Sequence, residues 1–249
     1  MTNLKVRRLT ELLSLEQPLN LYYLENELLS YGGSMFIYGR AGTFKSFLAI
    51  ELMHSLATGN RWLIYRTLGT PLTTLMVQAE QVEPMYQDRM LAYTQRRIPL
   101  PSSVDLYMLF ATSQNIKLDD FRGIAQLESV IKTYKPKVVL IDCLYRVVKS
   151  TVDTTSVGRF LDDMARMSGL YGVAFVVIHH PRKESDDDRG FDELTGWAGI
   201  ANWADTILRV TRHDGPVINL RWEKTKNARK EVGEANFRVD QENLKFLLH

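Results

Sequence analysis

The 249 residues are 45% hydrophobic and 24% charged, which excludes a disordered, collagenous or disulfide-stapled chain. A chain of this length buries a sizeable core unaided, and a balance of 31 Lys plus Arg against 29 Asp plus Glu, formally +2, does not by itself advertise nucleic acid. The lone Cys143 has no disulfide partner and suits a reducing cytoplasm. No stretch approaches the ~20 apolar residues of a membrane span, and the start MTNLKVRRLTELL lacks the apolar run of a signal peptide, so the expectation is a cytoplasmic protein without a membrane.

In chain order, residues 1–31 read as a helical extension broken at Pro18, and 32–249 as one α/β domain. Strands are predicted over Met35–Tyr38, Thr74–Ala79, Asp105–Phe110, Lys137–Ile141 and Val173–Ile178, alternating with helices near 45–58, 83–97, 119–134 and 155–171. That βαβα rhythm predicts a central, mostly parallel sheet flanked by helices. It then changes: Thr206–Val210, Val217–Trp222, Ala235–Val239 and Leu244–Leu248 read as antiparallel strands on the sheet edge. Charge is local, with five basic residues in 221–230 and four acids in 184–188.

The segment Gly39-Arg40-Ala41-Gly42-Thr43-Phe44-Lys45-Ser46, between an apolar strand and the helix opening at Phe47, has the make-up of a phosphate loop. Small residues let successive N–H groups point inward, Lys45 meets the β/γ charge, and the Ser46 hydroxyl meets a metal ion. Phe44 replaces the second glycine of GxxxxGK[ST], so the cradle is expected to survive only if residue 44 keeps φ below zero. Asp142, closing the apolar run Val138–Ile141, is placed to hold hydrated Mg²⁺ beside Ser46, although aspartate also ends strands simply by making local turns. Metal binding by His179-His180 is not expected, because adjacent side chains on extended backbone diverge and no Cys or Glu partner has zinc-site spacing.

Together GRAGTFKS, VQAEQ, VVLIDCLYRV, VVIHHPRK and GWAGIANWADTILRV resemble the RecA-like ATPases, nearest the RepA-type branch of hexameric replicative helicases and related phage or plasmid ATPases. The resemblance spans roughly residues 30–240. It implies ATP and Mg²⁺ as ligands, Glu80 as the residue that orients the attacking water, and His180 as a γ-phosphate sensor. Arg89 matches an adenine-stacking arginine by spacing, with a solvated helix face as the alternative. Loops around Arg146, Lys149 and Ser150 and around Arg182, Lys183 and Arg189 would face single-stranded DNA in a ring or filament, or be solvated connections. Lys224 and Lys226 resemble a pair that reaches a neighbour's γ-phosphate, with Arg229 in reserve, so a head-to-tail homo-oligomer, a hexamer in the helicases, is implied. No guanine-reading NKxD occurs, and Trp197 and Trp203 read as packing residues before base-stacking ones. A DNA-dependent helicase is the leading expectation. A strand-annealing recombinase and a nucleotide-bound scaffold without DNA activity are its rivals.

Overall fold

The computed structural model describes residues 6–16, 20–95, 97–112, 115–150, 154–180, 198–213 and 215–249. Nine strands form the main sheet: β3 (Ser34–Tyr38), β4 (Thr74–Gln78), β5 (Leu106–Phe110), β6 (Val138–Asp142), β7 (Ala174–His179), β8 (Thr206–Arg212), β9 (Val217–Thr225), β10 (Ala235–Asp240) and β11 (Lys245–Leu248). Their order is β11-β10-β9-β8-β3-β7-β6-β4-β5. From β8 to β5 every neighbouring pair is parallel, and β8 to β11 are antiparallel, as expected.

The parallel strands read as unbroken apolar runs because both faces are covered. Alternate side chains divide between two cores: Met35, Ile37, Met76, Val138, Leu140, Val176 and Ile178 face one, while Phe36, Leu75, Val77, Val139, Ile141, Phe175 and Val177 face the other. The first core is closed by α2 (Lys45–Thr58) and α3 (Glu83–Thr94). The second is closed by α4 (Phe121–Tyr134), through Ile124, Leu127 and Ile131, and α6 (Thr154–Tyr171), through Phe160, Met164 and Met167. The start of α4 is fixed by Asp120, whose carboxylate accepts from the Gly123 N–H at 2.9 Å. Helix α2 buries residues on nearly every side, so its amphipathic period is weak.

The N-terminal segment departs from the expected helix. Only α1 (Leu9–Leu13) is helical before residue 20 among the described residues, and it buries nothing. Tyr22–Leu24 (β1) pairs antiparallel with Leu29–Ser30 (β2) around a tight turn in which Asn26 and Glu27 take φ of 55° and 60°. The spacing of Tyr23, Leu24, Leu28 and Leu29 imitates a helical stripe, yet these side chains enter the first core from a hairpin. The left-handed conformation of two successive residues, Asn26 and Glu27, ends any helix here, because positive φ cannot be continued in a right-handed helix. Pro18 lies outside the described residues. Strand β9 runs three residues beyond the expected end at Trp222, which brings Lys224 inside the sheet.

Candidate active site at the carboxyl ends of the parallel strands

Strands β3, β4, β6 and β7 all end at one edge, and the residues that follow them gather there. After β3, the loop turns at Gly39 and Gly42 into α2. Gly39 is required by close approach: a Cβ there would lie 2.1 Å from the Val210 carbonyl oxygen of β8. Phe44 caps α2 with φ 62°, not the negative φ that the substitution was expected to demand. The loop keeps the left-handed turn a glycine normally supplies, a conformation costing about 1–3 kcal/mol for a bulky residue. Packing opposes that cost, since the Phe44 ring joins the first core and the Arg212 guanidinium lies 5.0 Å above it.

Lys45 points back across the loop, donating to the Arg40 carbonyl at 2.6 Å and the Thr43 hydroxyl at 3.1 Å. Burial pulls its ammonium down to about 8, with Asp142 and Glu80 pulling the other way. Asp142 is buried, and neither carboxylate oxygen has a hydrogen-bond partner. Burial first, then the charge of Glu80, pushes it up to about 6, while Ser46 stands near enough to favour its charged form. An orphaned buried carboxylate facing a serine hydroxyl is a donor set that fits a hydrated Mg²⁺, which would remove the desolvation penalty now borne by the carboxylate.

Glu80 follows β4 and is aimed by its own strand: the buried Gln78 side chain accepts from the backbone N–H groups of Glu80 (2.7 Å) and Gln81 (3.2 Å). Its Oε1 receives Cys143 Sγ at 3.1 Å and the Tyr145 hydroxyl at 3.1 Å, with His180 Nε2 at 3.4 Å. The His180 contact above all, then Cys143 and Tyr145, holds the carboxyl down to about 2 against the upward push of burial. Burial and Glu80 in turn keep the Cys143 thiol protonated, as its donor role requires. Glu80 is therefore a fully charged acceptor within the site.

The two histidines diverge as expected, His179 into the core beside Phe36 and His180 toward Glu80. The strand order β7-β6-β4 brings His180, Cys143 and Glu80 together, with one donor atom from each within 4.8 Å of the others. Spacing along the chain gives no hint of that gathering.

These groups open into a cleft of ≈ 660 Å³ that Lys45, Ser46, Glu80, His180, Phe47 and Arg89 line. The Arg89 guanidinium lies 5.0 Å from the Phe47 ring centroid and 5.8 Å from that of Tyr86. Its flat cation is thus held on the cleft wall against two aromatic rings. Tyr145, Arg212 and Gln241 also line the cleft and were not singled out from sequence.

Other expected residues lie elsewhere. Lys224 Nζ donates to the Ala201 carbonyl at 2.6 Å, and burial followed by Lys226 lowers its pKa. Lys226 pairs with Asp205 at 3.3 Å and Arg229 with Glu27 at 2.7 Å. Lys224 pairs with Ile207, at the start of β8, whereas the phosphate loop meets β8 near Val210–Arg212. At ~3.3 Å per residue Lys224 is displaced along the strand by roughly 10–16 Å from its own loop, and its ammonium is turned to the Ala201 carbonyl. Arg146 and Lys149 follow β6 at the surface, in and just after the short helix α5 (Leu144–Val147), with Lys149 3.7 Å from Asp120. Arg182, Lys183, Arg189 and Trp197 lie outside the described residues. Trp203 packs against the second core.

A phosphate-loop sequence between β3 and α2, with a buried aspartate and a charged glutamate at the ends of neighbouring parallel strands, is the arrangement of a RecA-like P-loop ATPase domain. Residues 3–186 match the family profile described as "AAA domain", and the chain belongs to that family. Among solved structures, the flagellar accessory protein FlaH from Methanocaldococcus jannaschii is similar in fold, with a TM-score of 0.59 at 13% identity, covering 88% of this chain and 90% of that one. No curated protein matches. Among the described residues no helix is long and apolar enough to cross a membrane.

Proposed function

We propose that the protein is a Mg²⁺-dependent ATP-hydrolysing motor of replicative-helicase type that assembles head to tail and acts on single-stranded DNA. The observation that carries the hydrolytic part is the convergence of Lys45, Ser46, Glu80 and His180 on one cleft, with Asp142 buried beside Lys45 and Ser46. In this reading Lys45 and the loop N–H groups bind the β- and γ-phosphates, and Ser46 and Asp142 hold the cation. Glu80 orients the water, and His180 contacts the γ-phosphate. Bound Mg²⁺ supplies charge neutralisation at the phosphates.

Assembly is supported by the far placement of Lys224 and Lys226, which leaves a neighbour's nucleotide as the only triphosphate they could serve. DNA contact is supported by the exposed Arg146 in the short helix α5 that follows β6. The test is ATP turnover of the purified chain with and without single-stranded oligonucleotide, alongside its oligomeric mass and unwinding of a forked duplex. Oligonucleotide-stimulated turnover by a multimer that unwinds the fork is expected, and pairing of complementary strands without unwinding would favour a recombinase-like annealing role. A second reading, a nucleotide-bound scaffold without DNA activity, is favoured by one observation: three donors hold Glu80 as a weak base. Nucleotide binding indifferent to DNA would select it.

A further inference from the structure

Three donors meet at a single oxygen of Glu80, and one of them is itself under control. The Tyr145 hydroxyl that donates to Glu80 Oε1 at 3.1 Å accepts in turn from Arg146 Nε at 3.1 Å, and the Arg146 guanidinium lies 5.0 Å over the Tyr145 ring. A cation donating to a phenol oxygen polarises its O–H, so the phenol becomes a stronger donor to the carboxylate beyond. A carboxylate held by strong donors is fixed in place and weakened as a base. Cys143 and His180 reach Glu80 from just beyond the ends of β6 and β7, and Cys143 meets Arg146 only through backbone, whereas the Arg146 guanidinium donates to Tyr145. Among the three donors Tyr145 is the most exposed, and Arg146 beside it is exposed as well.

The arginine's backbone is tied independently. Its carbonyl accepts from Lys117 Nζ at 2.5 Å, and its N–H bonds to the Cys143 carbonyl at 3.2 Å. The side chain can therefore swing to another anion while α5 stays in place.

We propose that Tyr145 is a positioning residue for Glu80, tightened by Arg146 in the resting protein and loosened when a phosphodiester backbone draws Arg146 away. The proposal rests on the reading of Glu80 as the water-orienting group and supplies a route by which the loop after β6 governs hydrolysis. Drawing the guanidinium off weakens the phenol as a donor, and Glu80 regains base strength and freedom to meet the water. Arg146 would then act as a reporter of bound nucleic acid as well as a contact to it.

The experiment compares steady-state ATP turnover of the full chain, Tyr145→Phe and Arg146→Ala, each with and without oligothymidylate. Tyr145→Phe removes one donor to a charged group, so unstimulated kcat rises by roughly three- to tenfold, while KM for ATP stays within about twofold and further stimulation disappears. Arg146→Ala, a surface change that spares the core, moves kcat in the same direction by less and also abolishes the response. Loss of packing would lower kcat or raise KM and does not produce this pattern. Unstimulated kcat that is unchanged or reduced in both variants overturns the proposal, as does stimulation of both variants equal to that of the unaltered chain. If oligothymidylate leaves the unaltered chain unaffected while both variants still run faster, the Tyr145 arrangement stands and the DNA reading falls. Unaltered turnover by Glu80→Gln would remove the assignment of Glu80 and the proposal with it.

Discussion

Nucleotide affinity should depend on pH through Lys45. Burial pulls the ammonium down to about 8 when its contacts are the Arg40 carbonyl and the Thr43 hydroxyl. Phosphate oxygens bring negative charge to the same nitrogen, so bound ATP favours the protonated form and raises this pKa. With the empty-state value near 8, about a tenth of the lysines are neutral at pH 7, about half at pH 8 and about nine-tenths at pH 9. Binding must reprotonate that fraction. ATP should therefore take up about half a proton at pH 8, and its affinity should fall by roughly fivefold to tenfold, near 1–1.4 kcal/mol, between pH 7 and pH 9. Calorimetry in two buffers of different ionisation enthalpy measures the uptake, with Lys45→Arg as a control whose charge does not titrate. The sign for the fold is linked: because the folded pKa is depressed below 10.5, stability contributed by neutral Lys45 grows as pH rises from about 8 toward 10.5. Equal affinity at pH 7 and pH 9 with no proton uptake would refute the placement of Lys45 against the phosphates.

Other outcomes follow from the same geometry. Glu80→Gln should bind ATP with little change yet turn over about 10²–10⁴-fold more slowly, measured by a nucleotide-binding titration beside a phosphate-release assay. Asp142 titrates near 6 when no cation neutralises it, so Mg²⁺ affinity should decline as pH falls through 6, read by the Mg²⁺ dependence of nucleotide binding at pH 5.5 and 7.5. Gly39→Ala drives a Cβ to 2.1 Å from the Val210 carbonyl, and should cost about 1–3 kcal/mol in denaturant unfolding together with loss of nucleotide binding. Mixing Lys45→Ala with Lys226→Ala chains should restore part of the activity each lacks alone, because some boundaries then join an intact loop to an intact lysine. Activity no higher than the mean of the separate chains would leave Lys226 without a role in trans.

The central strands were legible because burial on both faces leaves unbroken apolar runs, as in Val138–Ile141. The positions of the loop before α2 and of Asp142 were legible because each closes a buried apolar strand, β3 and β6. Three features were not. Tyr22–Ser30 offered a helix-like apolar spacing, and the positive φ values at Asn26 and Glu27 that make it a hairpin leave no strong mark in residue type. Phe44 was judged from its side chain, whereas the backbone keeps the glycine's turn and the Arg212 contact helps hold it. Cys143 and Tyr145 became partners of Glu80 only through the lateral pairing of β4 with β6, since 63 and 65 residues separate them in the chain.

The β8–β9 hairpin has an unusual position. At one end, the Val210 carbonyl fills the space under Gly39 and Arg212 donates to the Gly42 carbonyl at 3.3 Å. At the other end stand Lys224 and Lys226, braced on Ala201 and Asp205. Both strands are also held from outside, β8 by β3 and β9 by β10, so a single hydrogen-bonded ribbon joins the backbone beneath Gly39 and Gly42 to the two distant lysines.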